Sequence, residues 1–325
     1  MTNRVLFPSA HNALHRMHTA YAAGDIGELA EAYRAAPEAS TALRLATRLI
    51  EAFYPLGPFL DFAVLLDRCL GDGGLRDGSR RFLDEAGVSW RSVLPHACRK
   101  TAEEHPVLLF GNHSSLLTPF FAAASLERDD LRCFTTNYIC RLVPNFGRLS
   151  FPLEVPLHRT GVAWRQGGPR RAIAHRLASI VHQTPDPATA RTSNRNSLDL
   201  GAAHIRRGGS AIIHPGGGGT KERRWYPGLG SLVKRLHEVP GERPAYLIPI
   251  HETNCTNHRI HAQLMRGPIA RLKRAVVYRG PARIRFGEPI AVRDVASSTS
   301  TAEQIVAWLR IRYETMFAEP EPAAA

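Results

Sequence analysis

The sequence predicts an α/β fold, a mixed and largely parallel sheet flanked by helices, with an N-terminal helical unit ahead of it. Three observations carry this. From about Pro106 short apolar runs alternate with helix-length segments. Residues 9 to about 90 place apolar residues at three- and four-residue spacing and offer no strand candidate. Four apolar runs end in histidine or in a glycine loop, where strands of such a sheet hand over to site-forming loops. The expected division is 1–95 for the helical unit, 96–318 for the α/β domain and 319–325 for a disordered tail, EPEPAAA.

In the helical unit, Leu29 to Ala36 and Ala42 to Phe53 are Ala-rich amphipathic segments. Pro37, Pro55 with Pro58, and the glycines from Gly71 to Gly74 punctuate about four helices, expected to cover one flank of the next domain. Beyond it, Val107 to Phe110 reads as a buried strand, Leu116 to Leu126 as a helix, Leu131 to Phe134 and Leu153 to Leu157 as strands, and Arg170 to His182 as a helix. Gln183 to Thr192 holds two prolines and reads as a loop. Ser193-Asn194 then caps a helix from Arg195 to Arg207 that Gly208-Gly209 ends. Ser210 to His214, Tyr246 to Ile250, Ala275 to Tyr278 and Ala282 to Phe286 are the remaining strand candidates, and Thr301 to Phe317 is a terminal helix.

The chain has 325 residues and a net charge of +13, from 42 Lys plus Arg against 29 Asp plus Glu. That excess implies an acidic partner: a phosphate-bearing substrate, an anionic membrane, an acidic carrier protein or a nucleic acid. No zinc-finger or RNA-binding aromatic motif supports nucleic acid. The five cysteines, Cys69, Cys98, Cys133, Cys140 and Cys255, form no CxxC pair, so reduced thiols in a cytoplasmic protein are expected. The N-terminus lacks the apolar core of a signal peptide. Leu49 to Leu70 is the nearest membrane candidate, but Glu51, Pro55, Pro58, Asp61 and Asp67 break it, leaving peripheral contact as the alternative to a bundle helix.

The chemistry collects at the strand ends. Val107 to Pro119, VLLFGNHSSLLTP, is a strand, a tight turn carrying Asn112-His113, and a helix start. A second strand enters His158-Arg159. A third leads into Pro215-Gly216-Gly217-Gly218-Gly219-Thr220 followed by Lys221, Arg223 and Arg224, and a fourth ends in His251. Each has a plain alternative as a flexible turn or a solvated charged face. Together they put a candidate base beside cations and beside glycines whose backbone N–H groups can approach an anion. That suits an anionic substrate whose hydroxyl or amine His113 activates. The competing reading of His113, His158, His214 and His251 as metal ligands lacks a His-x-x-x-His pair or a convergent Cys or carboxylate set. His11, His15 and His18 share a helical face without evident partners. A serine-hydrolase elbow, G-x-S-x-G, is absent.

The order of these blocks resembles the glycerolipid acyltransferase superfamily, the glycerol-3-phosphate and lysophosphatidate acyltransferases. GNHSSLLTP is similar to its Asn-His block, VPLHRTG to its second block with His158 and Arg159, AIIHPGGGGTKERR to its third and LIPIH to its fourth. The resemblance covers roughly Pro106 to Pro289. Within it, the segment from Arg191 to Gly228 is similar to the soluble plastid-type glycerol-3-phosphate acyltransferases, which also carry a helical N-terminal domain. Lys221-Glu222-Arg223 stands nearest their basic triplet.

The resemblance implies an acyltransferase with His113 as general base and no permanently bound cofactor. An acyl carrier protein or coenzyme A thioester would be the co-substrate, and Asn112, His158, Arg159, Gly216, Gly217, Gly218, Lys221, Arg223 and Arg224 the binding residues. It implies no metal. Two positions depart from the pattern. The aspartate that supports the catalytic histidine is Thr118 here, and the position that is usually glutamate is Gly216, although the plastid-type loop lacks that glutamate too. A partnering carboxylate fixes the imidazole tautomer and stabilises the imidazolium, whereas Thr118 can orient a ring but brings no charge. Three outcomes are compatible with Thr118: a carboxylate from elsewhere substitutes, the acceptor is intrinsically more nucleophilic, or the chain binds a carrier, acyl chain or membrane without turnover.

Overall fold

The computed structural model describes residues 8–155, 185–216, 225–264, 272, 275–276, 280–297 and 299–318. The chain opens with helices α1 (Pro8–Ala23), α2 (Ile26–Ala39), α3 (Thr41–Phe53) and α4 (Leu56–Glu85). Local chemistry explains their starts: Asp25 accepts from Glu28 N at 2.8 Å and Ser40 accepts from Leu43 N at 3.1 Å. Pro37 does not interrupt α2, which runs two residues past it to Ala39. The glycine punctuation does act. Gly74, at φ 63°, breaks α4 into two pieces. The second piece folds back so closely that a Cβ on Gly78 would lie 2.6 Å from Cys69 O.

Then follow β1 (Trp90–Val93), α5 (His96–Glu104), β2 (Val107–Gly111), α6 (Thr118–Ser125), β3 (Leu131–Thr136), α7 (Asn137–Leu142), α8 (Pro144–Arg148) and β4 (Ser150–Leu153). The later elements are α9 (Pro187–Arg206), β5 (Ser210–Ile213), α10 (Gly228–Glu238), β6 (Tyr246–Thr253), α11 (Asn257–Leu264), β7 (Ala282–Phe286), β8 (Ile290–Ala291) and α12 (Ala302–Phe317). The sheet order is β1-β7-β6-β2-β5-β3-β4, with β8 beside β6. Strands β6, β2, β5, β3 and β4 run parallel to one another, as do β1 and β7, while β7 and β8 are antiparallel to β6. The expected mixed, largely parallel sheet flanked by helices is the fold observed.

Several boundaries move. The strand expected over Leu153 to Leu157 is Ser150–Leu153, because pairing with β3 runs from Cys133↔Ser150 to Thr136↔Leu153. The loop expected over 183–192 is helical from Pro187. Asp186, not Ser193-Asn194, is the cap, accepting from Ala188 N and Thr189 N, and Pro187 occupies a first-turn site where no N–H is needed. Strand β6 does not stop at Ile250, because antiparallel pairing with β7 carries it on to Thr253↔Arg283. His251 therefore lies within a strand rather than after one. Of the candidate over Ala275 to Tyr278, Ala275 and Val276 are helical and the rest lies outside the described residues, as do the Arg170 to His182 helix and the 319–325 tail. Strand β1 sits before the expected boundary at residue 95, yet pairs with β7 along its whole length.

Burial follows the strand period. On β2, Val107 and Leu109 face a core shared with α1, α2, α4 and α6, whereas Leu108 and Phe110 face one shared with α9, α10 and α12. The N-terminal helices thus cover one face of the sheet through a common core. Phe82 on α4 packs edge-on to Phe120 on α6, with centroids 5.7 Å apart. All five cysteines are free. No single helix among the described residues is long and apolar enough to cross a membrane. The membrane candidate Leu49 to Leu70 is divided between α3 and α4, which are bent by 75°. Helix α3 leaves Leu45 and Leu49 exposed beside Arg44 and Arg48.

Candidate functional site

Strands β6, β2 and β5 lie side by side and parallel, so the chain leaves all three at one edge of the sheet. The exit from β2 carries Asn112 and His113, the exit from β5 carries His214, Pro215 and Gly216, and the C-terminal end of β6 carries His251 and Glu252. Gly111 makes the close approach possible. A Cβ there would sit 1.8 Å from Ile250 O on β6.

The rings of His113 and His214 stack, with centroids 4.5 Å apart and planes 13° from parallel. His214 Nδ1 lies 3.4 Å from Gly111 O, so the tautomer protonated there donates to that carbonyl. Both residues keep some exposure, but His113 Nδ1 and His214 Nε2 are out of reach of solvent. Burial, and after it the charge of His214, hold His113 well below the ordinary histidine range. Burial likewise pushes His214 down to about 4 against the opposing pull of the Gly111 and Asn112 backbone. Both rings are neutral at pH 7, and a neutral imidazole is the form that can accept a proton.

The polar groups on either side of His113 converge on Glu252. The Asn112 amide accepts from Glu252 N at 2.8 Å and donates to Glu252 O at 3.0 Å and to Ser114 Oγ at 2.6 Å. Ser115 Oγ donates to Glu252 Oε1 at 2.7 Å, and Thr118 Oγ1 donates to Glu252 Oε2. Thr118 is fully buried and Glu252 is 2% exposed. Burial pushes the Glu252 carboxyl up to about 7, although Thr118, Ser115 and Cys255 hydrogen-bond to it and pull the other way. The C-terminal helix reaches the same place: Asn112 N donates to Tyr313 Oη at 3.3 Å, which lies 2.5 Å from His251 Nδ1.

Of the residues singled out in the sequence, Asn112, His113, Thr118, His214, Pro215, Gly216 and His251 are in the described structure. Asn112 and His113 belong to the turn after β2, Thr118 opens α6, His214, Pro215 and Gly216 follow β5, and His251 lies on β6. His158, Arg159, Gly217, Gly218, Lys221, Arg223 and Arg224 lie outside the described residues. Sequence reading missed Glu252, Ser115, His214 as a stacking partner of His113, and Tyr313. The one signal for Glu252 was an acidic residue directly after the apolar run LIPIH. No group of three or more His, Cys, Asp or Glu that could hold a metal occurs among the described residues.

No protein-family model matches the chain, and no curated protein matches it. Among solved structures, the chain is similar to a 1-acyl-sn-glycerophosphate (LPA) acyltransferase, PlsC, from Thermotoga maritima. The match has 8% sequence identity and a TM-score of 0.40, covering 99% of this chain and 100% of that one. With so low an identity, the chemistry has to be read from the residues of the site itself.

Proposed function

We propose that the protein is an acyltransferase. It moves an acyl group from an acyl carrier protein or coenzyme A thioester to a hydroxyl or amine of an anionic or specialised-metabolite acceptor. The observation that carries this reading is the imidazole of His113, stacked on His214 where the chain leaves β2 and β5 beside the C-terminal end of β6. His113 takes the acceptor's proton as its oxygen or nitrogen attacks the thioester carbonyl. The tetrahedral intermediate then collapses, the C–S bond breaks, and the imidazolium returns the proton to the leaving thiolate. Backbone N–H groups around Gly216, Gly217 and Gly218 are assigned to the developing oxyanion. Arg159, Lys221 and Arg223, with His158 and Arg224 beside them in sequence, are assigned to the anionic acceptor or the donor's phosphopantetheine arm.

The net charge of +13 suits an acidic carrier protein as donor, in a cytoplasmic setting. The exposed Leu45 and Leu49 beside Arg44 and Arg48 on α3 suit peripheral contact with an anionic membrane. A second reading, binding of a carrier protein, acyl chain or anionic membrane without turnover, is favoured by the threonine at position 118. One experiment separates them. The protein is incubated with acyl-carrier-protein and acyl-CoA donors and a panel of hydroxyl and amine acceptors, and thioester consumption is followed for the wild type and His113→Ala. Consumption abolished by His113→Ala supports the acyltransferase, consumption unchanged by it removes His113 as base, and tight carrier binding without consumption favours the second reading.

A further inference from the structure

We infer that Glu252 is the positioning residue of this site, a single buried residue of β6 that clamps the His113 turn on both sides. The inference rests on reading His113 as the base and supplies the group that holds it in place. Ahead of His113, the Asn112 amide lies across the Glu252 backbone, with one bond to its N–H and one to its carbonyl. Behind His113, Ser115 and Thr118 donate to the two carboxyl oxygens. Glu252 is itself fixed, because it pairs with Ile284 of β7, two residues beyond the last β2–β6 pair at Gly111↔Ile250.

The clamp holds with Glu252 protonated or ionised. Thr118 Oγ1 has one hydrogen and two acceptors in reach, Glu252 Oε2 and Ser115 O, the latter at 2.9 Å. With Glu252 ionised, Thr118 donates to Oε2 while Ser115 O keeps the Thr118 N–H at 3.3 Å; with Glu252 protonated, the acid donates to Thr118 Oγ1 and Thr118 donates to Ser115 O. Ser115 Oγ donates to Oε1 in both forms. A neutral acid is far cheaper to bury than a carboxylate. Thr118 is then the middle link of a chain from Glu252 to the Ser115 backbone, holding the turn by geometry instead of charge.

The test follows the ring of His113 in the full chain, labelled with 13C,15N-histidine and titrated by NMR, the signals being assigned by their loss in His113→Gln. Other titratable groups face the cluster: His214 across the stack, His251 with Tyr313, and Cys255. Arg285 acts on His251 and Arg259 on Cys255. Glu252→Ala opens the turn to water, and His113 then titrates closer to the ordinary value of about 6.5. Glu252→Gln, whose amide offers one acceptor and one donor to the same two hydroxyls, keeps the wild-type titration. Thr118→Val removes the hydroxyl at constant shape and moves His113 as Glu252→Ala does, so the question is decided even if the alanine variant fails to fold. A His113 titration unmoved in Thr118→Val, or moved as far by Glu252→Gln as by Glu252→Ala, overturns the inference. With an acyl-CoA donor, Glu252→Ala lowers kcat by roughly 100-fold with KM nearly constant, as expected for a misplaced base. A loss carried by KM instead overturns it. Wild-type turnover in His113→Ala would remove the base reading alone, since the His113 titration still judges what Glu252 holds.

Discussion

The imidazoles of His113 and His214 come from the ends of two adjacent parallel strands and stack 4.5 Å apart. Two protonated rings at that distance would repel each other, and burial disfavours charging either one. Their depressed affinities have a kinetic consequence. A base that is already neutral near pH 6.5 is not switched off by mild acid, so turnover is level from about pH 6.5 to 8 and its acid limb lies below the ordinary histidine value. His214→Phe keeps a ring in the stack but removes its charge. It moves the acid limb upward by only part of the way, because burial is the larger cause of the His113 shift. Initial rates of thioester consumption from pH 4.5 to 8.5 measure both.

Gly111 sets how closely β2 can lie beside β6 where the site begins. A methyl group there meets the Ile250 carbonyl at 1.8 Å, backbone against backbone, with no flexible side chain to give way. Gly111→Ala is therefore expected to lower stability by about 3 kcal/mol. It also displaces Asn112 from Glu252 and so reduces turnover beyond the loss of folded protein. Denaturant midpoints, compared with specific activity per folded molecule, separate the two effects.

How far this site was legible in the sequence depends on how local each contact is. The Val107 to Phe110 run reads directly as a strand buried on both faces, and Gly111-Asn112-His113 as the turn leaving it, because both signals lie within nine residues of chain. Glu252 is bonded to Thr118 across 134 positions, and nothing in the local pattern of either residue demands the other. Strand β1 was hidden for a different reason. Arg91, Ser92 and Val93 are exposed, so its membership of the sheet rests on backbone pairing with β7 rather than on apolar content. The start of α9 was hidden by its composition, since Asp186-Pro187 reads as a loop until the aspartate is seen capping and the proline occupying the first turn.

Tyr313 links the C-terminal helix to the site, with its hydroxyl between Asn112 N and His251 Nδ1. Tyr313→Phe keeps the ring packing against Trp225 and Phe317 and removes only that hydroxyl. The expected cost is roughly 1 to 2 kcal/mol in stability, for buried polar atoms that lose a partner. Turnover falls as well, because Asn112 is one side of the His113 turn. A larger effect on turnover than on the thermal midpoint is the distinguishing result. Equal effects would place Tyr313 in the scaffold alone.

The pH dependence of stability carries opposing contributions from this edge of the sheet. Glu252 is pushed up to about 7, so its contribution is full below its unfolded value near pH 4.5 and is lost as pH rises to about 7. His214 is pushed down to about 4, so its contribution is full above about pH 6.5 and is lost as pH falls toward 4. Each is on the order of 3 kcal/mol over its range. Between about pH 4.5 and 6.5 these two slopes oppose each other, and His113 and His251, which burial also holds low, add to the rising one. Glu252→Gln removes the falling slope, so relative to wild type the variant gains stability as pH rises from 4.5 to 7. His214→Phe removes the rising one and gains instead as pH falls. Urea unfolding midpoints of the three proteins at half-unit pH intervals test both signs at once, and a Glu252→Gln profile parallel to wild type would show that Glu252 is already ionised near pH 5 in the folded chain.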